Sequence, residues 1–175
     1  SEPTCTLVGV DRDRETLERT AAELSSFGSR FRAQWVRFDL ADEVAEGVGP
    51  ERFDGVLLDL GMSSIQVDAP ERGFGFQQDG ELDLRMDRSC GATAADLLRD
   101  LPERELAELL FRLGDEKSSR AIARAVAQRR KASPLRRTGE LADLVAQVMG
   151  RRAGSRIHPA TRTFQALRIA VNDEL

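Results

Sequence analysis

The sequence has few of the residues that build metal centres and disulfide frameworks. Its 175 residues include two cysteines, Cys5 and Cys90, and one histidine, His158. The cysteines have no CxxC partner, and with His158 they match no familiar zinc-ligand spacing. We therefore expect no metal site. We also expect buried free thiols in a reducing cytoplasm, with a single disulfide as the alternative.

Long apolar runs are missing as well. No run approaches the roughly 20 residues needed to cross a bilayer, and residues 1–5 lack the basic segment and apolar core of a signal peptide. Hydrophobic residues make up 41% and charged residues 32% of the chain. This composition predicts a soluble cytoplasmic protein with no membrane partner, built from one domain or from one domain with a small insert.

Acidic and basic residues are unevenly distributed, although the formal net charge is only −4. Residues 116–168 hold 13 of the 26 Lys and Arg residues but only three acids, Glu116, Glu140 and Asp143. A basic segment on an otherwise acidic chain favours a polyanionic partner such as a nucleic acid. The alternative is a solvated helix face.

Three short apolar runs, each ending in an acid or a glycine, are typical of buried strands. The runs are Thr6–Val10, Gln34–Phe38 and Gly55–Leu60. Residues 15–25 carry a helical stripe between the first two runs, so the order predicts a parallel α/β sheet. Residues 62–89 are rich in Gly, Asp and Arg, and we expect a functional loop there.

The pattern becomes helical at Thr93, which opens a capping box with Asp96. Pro102 and Gly114 bracket a second helix, and three more are predicted at 117–131, near 141–150 and from Pro159. In the 117–131 helix we expect four inward side chains, namely Ala121, Ile122, Ala125 and Val126. We predict an α/β core at residues 1–91, a helical insert at 92–155, and a helix at 156–175 that returns to the core.

An acid at the end of a strand in a nucleotide-binding sheet commonly accepts hydrogen bonds from ribose hydroxyls. Asp11 follows the first apolar run and suits this role, although an acid there can equally cap a helix. Phe38 and Asp59 lie at the ends of the other two runs. We expect them to line the same crevice, because the carboxyl ends of parallel strands meet at one edge of a sheet.

Two longer stretches carry a more specific signal. The first contains DLGMSSIQ at residues 59–66, ERGFGF at 71–76 and DGELDLRMD at 79–87, and the second is HPATRTFQALRIAVNDEL at 158–175. Together they closely resemble the RsmH/MraW family of 16S rRNA (cytosine-N4)-methyltransferases. The resemblance runs along almost the whole chain and is weakest over residues 20–52.

This resemblance implies a class I, Rossmann-like methyltransferase sheet with an inserted all-helical domain. It also implies S-adenosylmethionine as cofactor and methylation of N4 of a cytidine in the decoding region of 16S rRNA within the small ribosomal subunit. Asp11 would hold the ribose hydroxyls and Phe38 the adenine, unless Phe38 is an ordinary core aromatic. Asp59 and Gln66 would hold the polar end of the cofactor.

N4 of cytosine is a poor nucleophile, since its lone pair is delocalised into the ring, so methyl transfer needs alignment and a proton acceptor. The candidate acceptors are Asp59, Asp83, Asp87 and His158. For Asp83 and Asp87 the alternative is a salt bridge with Arg72 or Arg85. Histidine is a common general base at physiological pH, and the alternative role of His158 is to order the start of the last helix.

The basic segment supplies the candidate RNA contacts, which are Arg120, Arg124, Arg129, Arg130, Lys131 and Arg162. We expect Arg120, Arg124, Arg129 and Arg130 to be largely exposed, because unpaired guanidinium groups are almost never fully buried. A solvated face with no partner is the alternative.

Two family motifs have no counterpart in this sequence: a glycine-rich loop ending in Gly-Gly-His and a later Phe-His-Ser-Leu-Glu-Asp motif. We therefore expect an incomplete sheet and a fragment that binds the cofactor poorly and is inactive alone. Two other functions remain open, a dinucleotide-dependent oxidoreductase and a non-catalytic RNA-binding module. Neither accounts for the stretches at 59–66 and 158–175. The oligomeric state is open, with a homodimer among the possibilities.

Overall fold

The computed structural model describes residues 5–40, 44, 53–150 and 158–175. The chain forms two compact units. The first consists of Ser1–Gly61 with Met86–Arg88, and the second of Met62–Arg85 with Ser89–Leu175. Among the described residues no helix is long and apolar enough to span a bilayer. The predicted domain limits at 91 and 155 stay a prediction, and residue 155 lies outside the described residues.

The first unit contains a parallel strand–helix–strand motif. Strand β1 (Leu7–Asp11) is followed by helix α1 (Arg14–Glu23), a 3-10 turn at Ser25–Arg30, strand β2 (Phe31–Trp35) and a short 3-10 turn at Phe38–Leu40. The two strands pair in parallel, with Leu7 opposite Phe31 and Asp11 opposite Trp35. The predicted parallel α/β arrangement is confirmed for this pair, although β2 begins three residues before the predicted run.

The third predicted strand, Gly55–Leu60, is not formed. Its apolar side chains are exposed, with Val56 at 79%, Leu57 at 91% and Leu58 at 63%. A strand exists only where a neighbour satisfies its backbone, and among the described residues the only paired strands are β1 and β2. The prediction that β1 is a buried strand was also wrong in part, since Leu7 is 55% exposed. A pair of strands with one helix beside it leaves one face open to solvent.

The second unit is helical. Short helix α2 (Ser64–Asp68) and a 3-10 turn at Pro70–Arg72 precede a long irregular segment. Helices α3 (Ala94–Asp100), α4 (Glu103–Gly114), α5 (Ser119–Ala132), α6 (Thr138–Met149) and α7 (Thr161–Asn172) follow. Helix α4 packs against α5 and α7, and α5 packs against α6. The fully buried side chains between them include Leu106, Leu110, Ile122, Val126, Leu141, Val145 and Leu167.

Local signals placed the helix ends well. Thr93 and Asp96 form the predicted capping box: the Thr93 hydroxyl accepts from Asp96 N at 3.1 Å, and the Asp96 carboxylate accepts from Thr93 N at 3.0 Å. Helix α4 ends at Gly114, where a Cβ would lie 2.5 Å from the Arg162 carbonyl oxygen of α7. The glycine therefore allows α4 and α7 to approach closely.

Two predictions about burial were wrong. In α5 the inward residues are Ile122, Ala123 and Val126, whereas Ala121 is exposed, because the buried stripe is centred one residue further along. Cys5 and Cys90 are both exposed free thiols rather than buried ones. Cys5 precedes β1 and Cys90 lies in the irregular segment before α3, so neither belongs to a helix or strand.

The irregular segment at residues 79–85 is hydrogen-bonded to several parts of the helical unit. Leu82 N donates to the Arg136 carbonyl at 2.9 Å, Ala95 N donates to the Leu82 carbonyl at 2.9 Å, and the Asn172 side chain donates from Nδ2 to the Leu84 carbonyl at 2.7 Å. Leu82 and Leu84 are 2% and 1% exposed. The predicted loop is therefore part of the core of this unit.

We predict that Asn172→Ala lowers the free energy of unfolding by about 1–3 kcal/mol, because the buried Leu84 carbonyl loses a donor that water cannot replace. Urea denaturation monitored by circular dichroism measures the change. Gln165→Ala is the matched control: Gln165 is exposed on the same helix, and its substitution is expected to change stability by less than about 0.5 kcal/mol. Equal effects of the two substitutions would contradict the role of Asn172.

Candidate functional site

The carboxyl edge of the strand pair holds two of the predicted cofactor residues. Asp11 is the last residue of β1 and lies opposite Trp35, and its carbonyl accepts a hydrogen bond from Val36 N at 3.2 Å. Phe38 follows β2 by three residues, in the 3-10 turn. The parallel register therefore places Asp11 and Phe38 at the same edge of the sheet.

Asp11 lies in an environment that disfavours its charge. The carboxylate is half-buried and accepts from Asp13 N through Oδ1 at 2.8 Å. Burial raises the pKa of Asp11 above its ordinary value of 3.8, and the nearby charge of Asp13 raises it further, against the lowering effect of the hydrogen bond from Asp13 N. The helix-capping role is filled by Asp13, whose side chain accepts from Thr16 N at 3.3 Å. Asp11 is thus not the N-cap of α1.

The aromatic side chains at this edge differ in their packing. The Trp35 indole donates to the Arg12 carbonyl at 3.0 Å, and the Arg14 guanidinium lies 5.4 Å from the centroid of its ring. Phe38 is 48% exposed. Such exposure does not fit the alternative of an ordinary core aromatic, and it leaves a ring available to contact a planar base.

The other two predicted cofactor residues are placed differently. Asp59 is exposed in the irregular stretch where a strand was predicted, so it has no strand end to hold it. Gln66 belongs to the second unit and is 3% exposed. Its Oε1 accepts from Ser63 N at 2.9 Å, while the Ser63 hydroxyl accepts from Gln66 N at 3.3 Å. This capping box at α2 was missed, although Ser63-x-x-Gln66 is its known signature.

Asp83 forms a buried salt bridge rather than an open carboxylate. Arg85 donates to Asp83 through Nε at 2.7 Å and through Nη2 at 3.0 Å, a two-point contact typical of strong ion pairs. The pKa of Arg85 is raised, chiefly by this hydrogen bond. The salt-bridge alternative therefore describes Asp83, with Arg85 as the partner. Asp87 is half-buried.

His158 orders the start of α7. Its Nδ1 accepts from Ala160 N at 3.2 Å, so the neutral ring carries its proton on Nε2. The imidazole also lies 4.7 Å from the Phe76 ring, which is 4.9 Å from Phe164. His158 itself is exposed. Phe76 is accordingly an anchor between the 71–76 stretch and α7.

The predicted RNA-contacting cations fall into two groups. Arg120, Arg124 and Lys131 are exposed. The remaining three have structural partners: Arg130 donates to the Leu98 and Leu101 carbonyls at 2.8 and 2.7 Å, Arg129 donates to Ser133 O at 2.8 Å, and Arg162 donates to Asp115 O at 2.8 Å. The expectation of large exposure was wrong for Arg129 and Arg130, because these side chains satisfy carbonyls at the ends of α5 and α3.

No group of three His, Cys, Asp or Glu residues that could hold a metal ion occurs in the part of the chain that the structure describes.

A parallel strand–helix–strand motif with an acid at the end of its first strand is a common element of nucleotide-binding α/β domains. Over residues 1–175 the sequence matches the MraW methylase family. The chain therefore belongs to that family.

Several curated proteins are similar to this chain along its length. The Ribosomal RNA small subunit methyltransferase H of Syntrophobacter fumaroxidans is 51% identical over 176 residues, which cover 100% of this chain and 55% of that protein. The protein of the same name from Methylobacterium sp. is 46% identical, with 100% and 52% covered. That from Trichlorobacter lovleyi is 50% identical, with 97% and 54% covered. The chain thus spans about half the length of the curated relatives it matches.

We predict that Asp11→Asn stabilises the protein at neutral pH. The asparagine keeps an oxygen for Asp13 N but removes the charge that burial disfavours. Between pH 3.8 and the raised pKa the folded state holds a proton that the unfolded state has released. The free energy of unfolding of the wild type therefore falls as pH rises through this window, and the advantage of the variant disappears below it.

Urea denaturation at a series of pH values measures this difference. Asp39→Asn is the control of opposite sign, because the hydrogen bond from Arg37 lowers the pKa of Asp39. Its replacement is expected to reduce stability at neutral pH. An Asp11→Asn variant less stable than the wild type at neutral pH would contradict the burial argument.

Proposed function

We propose that this chain is part of an S-adenosylmethionine-dependent enzyme that methylates N4 of a cytidine in 16S rRNA of the small ribosomal subunit, in the cytoplasm. The observation that carries the proposal is the family match over residues 1–175, together with relatives named as ribosomal RNA small subunit methyltransferases. These relatives favour neither a dinucleotide-dependent oxidoreductase nor a non-catalytic RNA-binding module.

The carboxyl edge of the strand pair fits one end of the cofactor. The Asp11 carboxylate is hydrogen-bonded by the backbone of Asp13 and of Arg12, and since a carboxylate has about four acceptor positions, capacity remains for ribose hydroxyls. The half-exposed ring of Phe38 offers an apolar surface to adenine. When bound, S-adenosylmethionine supplies an electrophilic methyl group on its sulfonium sulfur.

The proposed roles of Asp59 and Gln66 concern the polar end of the cofactor and the target pocket. The Gln66 amide is held in one orientation by its capping box, which lowers the entropy lost when it contacts a ligand. Of the four candidate proton acceptors, Asp83 fits least well, because both its oxygens are engaged by Arg85. The exposed groups Asp59 and His158, and the half-buried Asp87, remain as candidates.

The RNA would be held by cations that serve no structural purpose in the chain itself. Arg120, Arg124 and Lys131 meet this condition better than Arg129, Arg130 and Arg162, whose guanidinium groups satisfy protein carbonyls. Phosphate contacts of this kind position the RNA and make its binding dependent on salt.

We predict that Asp11→Ala, in a protein that carries this chain at the full length of its relatives, weakens binding of S-adenosylhomocysteine by about 10- to 100-fold. A hydrogen bond to a charged group contributes about 1.5–3 kcal/mol, and 1.4 kcal/mol corresponds to a factor of ten. Titration calorimetry measures the affinity. Methyl transfer from radiolabelled S-adenosylmethionine to unmodified small subunits measures the activity.

Glu23→Ala is the matched control for that experiment, because Glu23 is an exposed acid on α1 of the same unit, where it pairs with Arg19. We expect its affinity and activity to equal those of the wild type. Normal cofactor affinity in Asp11→Ala would rule out the ribose assignment. No labelling of small subunits by the unmodified protein would rule out the proposed function.

A further inference from the structure

A groove of about 700 Å³ lies on the helical unit, between α4 and the start of α5. This volume falls within the range of roughly 300–1,000 Å³ found for ligand clefts. Arg104, Glu108 and Phe111 line it from α4, and Lys117, Arg120 and Arg124 from the segment that leads into α5 and from α5 itself. The roles proposed above involve Arg120 and Arg124 but give no function to the groove itself or to Phe111.

Phe111 lies on the solvent-exposed face of α4, away from the core. Leu106 and Leu110 of the same helix are 1% and 0% exposed, whereas Phe111 is 55% exposed. Phe111 follows Arg104 by seven residues and Glu108 by three, so these three side chains share one helical stripe. The groove thus presents a flat apolar ring beside polar groups.

Three of the four cations around Phe111 have no acidic partner among the described residues. Arg104, Lys117 and Arg120 have no acidic partner in the part of the chain that the structure describes. Arg124 approaches Glu103 at 3.8 Å, with both side chains at least half exposed. An exposed pair of this kind contributes little. The lining as a whole holds these four cations and two acids, Glu103 and Glu108. The groove therefore keeps a surplus of positive charge around an exposed aromatic ring.

We propose that this groove binds one unstacked nucleotide of the RNA substrate, with its base on the Phe111 ring and the adjoining phosphates on Lys117, Arg120 and Arg124. The inference rests on the proposed function and adds a binding site for the substrate. An aromatic platform flanked by cations is the usual way in which proteins hold single-stranded RNA.

A protein partner fits the groove less well. A helix docked in a groove needs several apolar anchor pockets at helical spacing, and Phe111 is accompanied in the lining by only one small apolar residue, Ala107. The surplus of positive charge also favours a partner with a negative charge on every unit, as a nucleic acid has on each nucleotide.

We predict that Phe111→Ala weakens binding of a fluorescein-labelled single-stranded RNA of about a dozen nucleotides by about tenfold or more, the usual loss when one base–aromatic stack is removed. Fluorescence anisotropy with the 175-residue chain measures the affinity. We expect Phe111→Trp to restore it, whereas Phe111→Leu, which keeps apolar surface but no aromatic face, does not. The salt dependence of the Phe111 variants is expected to equal that of the wild type.

The charged residues give the complementary result. In Arg120→Ala/Arg124→Ala we expect the slope of log affinity against log salt to fall by about 0.7 for each lost phosphate contact. Arg99→Ala is the matched control, because Arg99 is 56% exposed on α3 and does not line the groove. Its affinity is expected to stay within about twofold of the wild type. Circular dichroism establishes that every variant is folded.

Wild-type RNA affinity in Phe111→Ala, or in Phe111→Leu, would overturn the proposal, and it is also the result expected if the groove holds a protein. The methyl-transfer assay separates this failure from failure of the proposed function. If the full-length enzyme methylates small subunits but RNA affinity does not change in the Phe111 variants, only the proposal for the groove is refuted. If RNA affinity depends on Phe111 but the full-length enzyme transfers no methyl group, the proposed function is refuted and RNA binding in the groove is supported.

Discussion

The carbonyl oxygen of Leu84 must be satisfied inside the helical unit, and Asn172, 88 residues later, satisfies it with a hydrogen bond of 2.7 Å. Leu84 has a positive φ of 66°, a conformation that costs energy for a branched side chain. Its amide is held as well, by the Arg72 carbonyl at 3.0 Å. These contacts fix an irregular backbone that has no ladder or helix of its own to rely on.

The same constraint links the two most specific stretches of the sequence. Residues 79–85 supply the buried backbone, and 158–175 supply helix α7, whose Asn172 donates to it. Where this backbone crosses the 3-10 turn at Pro70–Arg72 there is no room for a side chain: a Cβ on Gly80 would lie 1.7 Å from the Pro70 carbonyl oxygen. The unusual composition of the 71–87 region therefore reflects close packing of backbone as well as any contact with a ligand.

What could be predicted from the sequence follows from how local each signal is. Thr93 with Asp96, and Gly114, marked helix ends correctly, because capping involves atoms within a few residues. Gly55–Leu60 has the composition of a strand, but pairing depends on a distant neighbour that the segment itself does not encode. The family resemblance pointed to Gln66 without revealing that it belongs to a capping box. For Asp83 the sequence offered a salt bridge with Arg72 or Arg85 as the alternative, and only the structure identifies Arg85 as its two-point partner.

The basic segment shows the same limit. Counting charges identified residues 116–168 as basic. The count could not distinguish Arg130, which donates to the carbonyls of Leu98 and Leu101, from Arg120, which has no such contact. That distinction requires the packing of α5 against α3. The sequence did not indicate a binding role for Phe111, since a phenylalanine in a helix is normally expected in the core until the packing of its neighbours is known.

The exposed stretch at Val56–Leu58 has a consequence for how this 175-residue chain behaves in concentrated solution. Extended apolar segments with unsatisfied backbone groups act as templates for strands of other molecules. Asp54 and Asp59 flank the stretch, and charges in such positions oppose stacking of one copy on another. Asp59 would then protect the chain against aggregation in addition to any part in methyl transfer, and neutralising it would carry a cost in solubility.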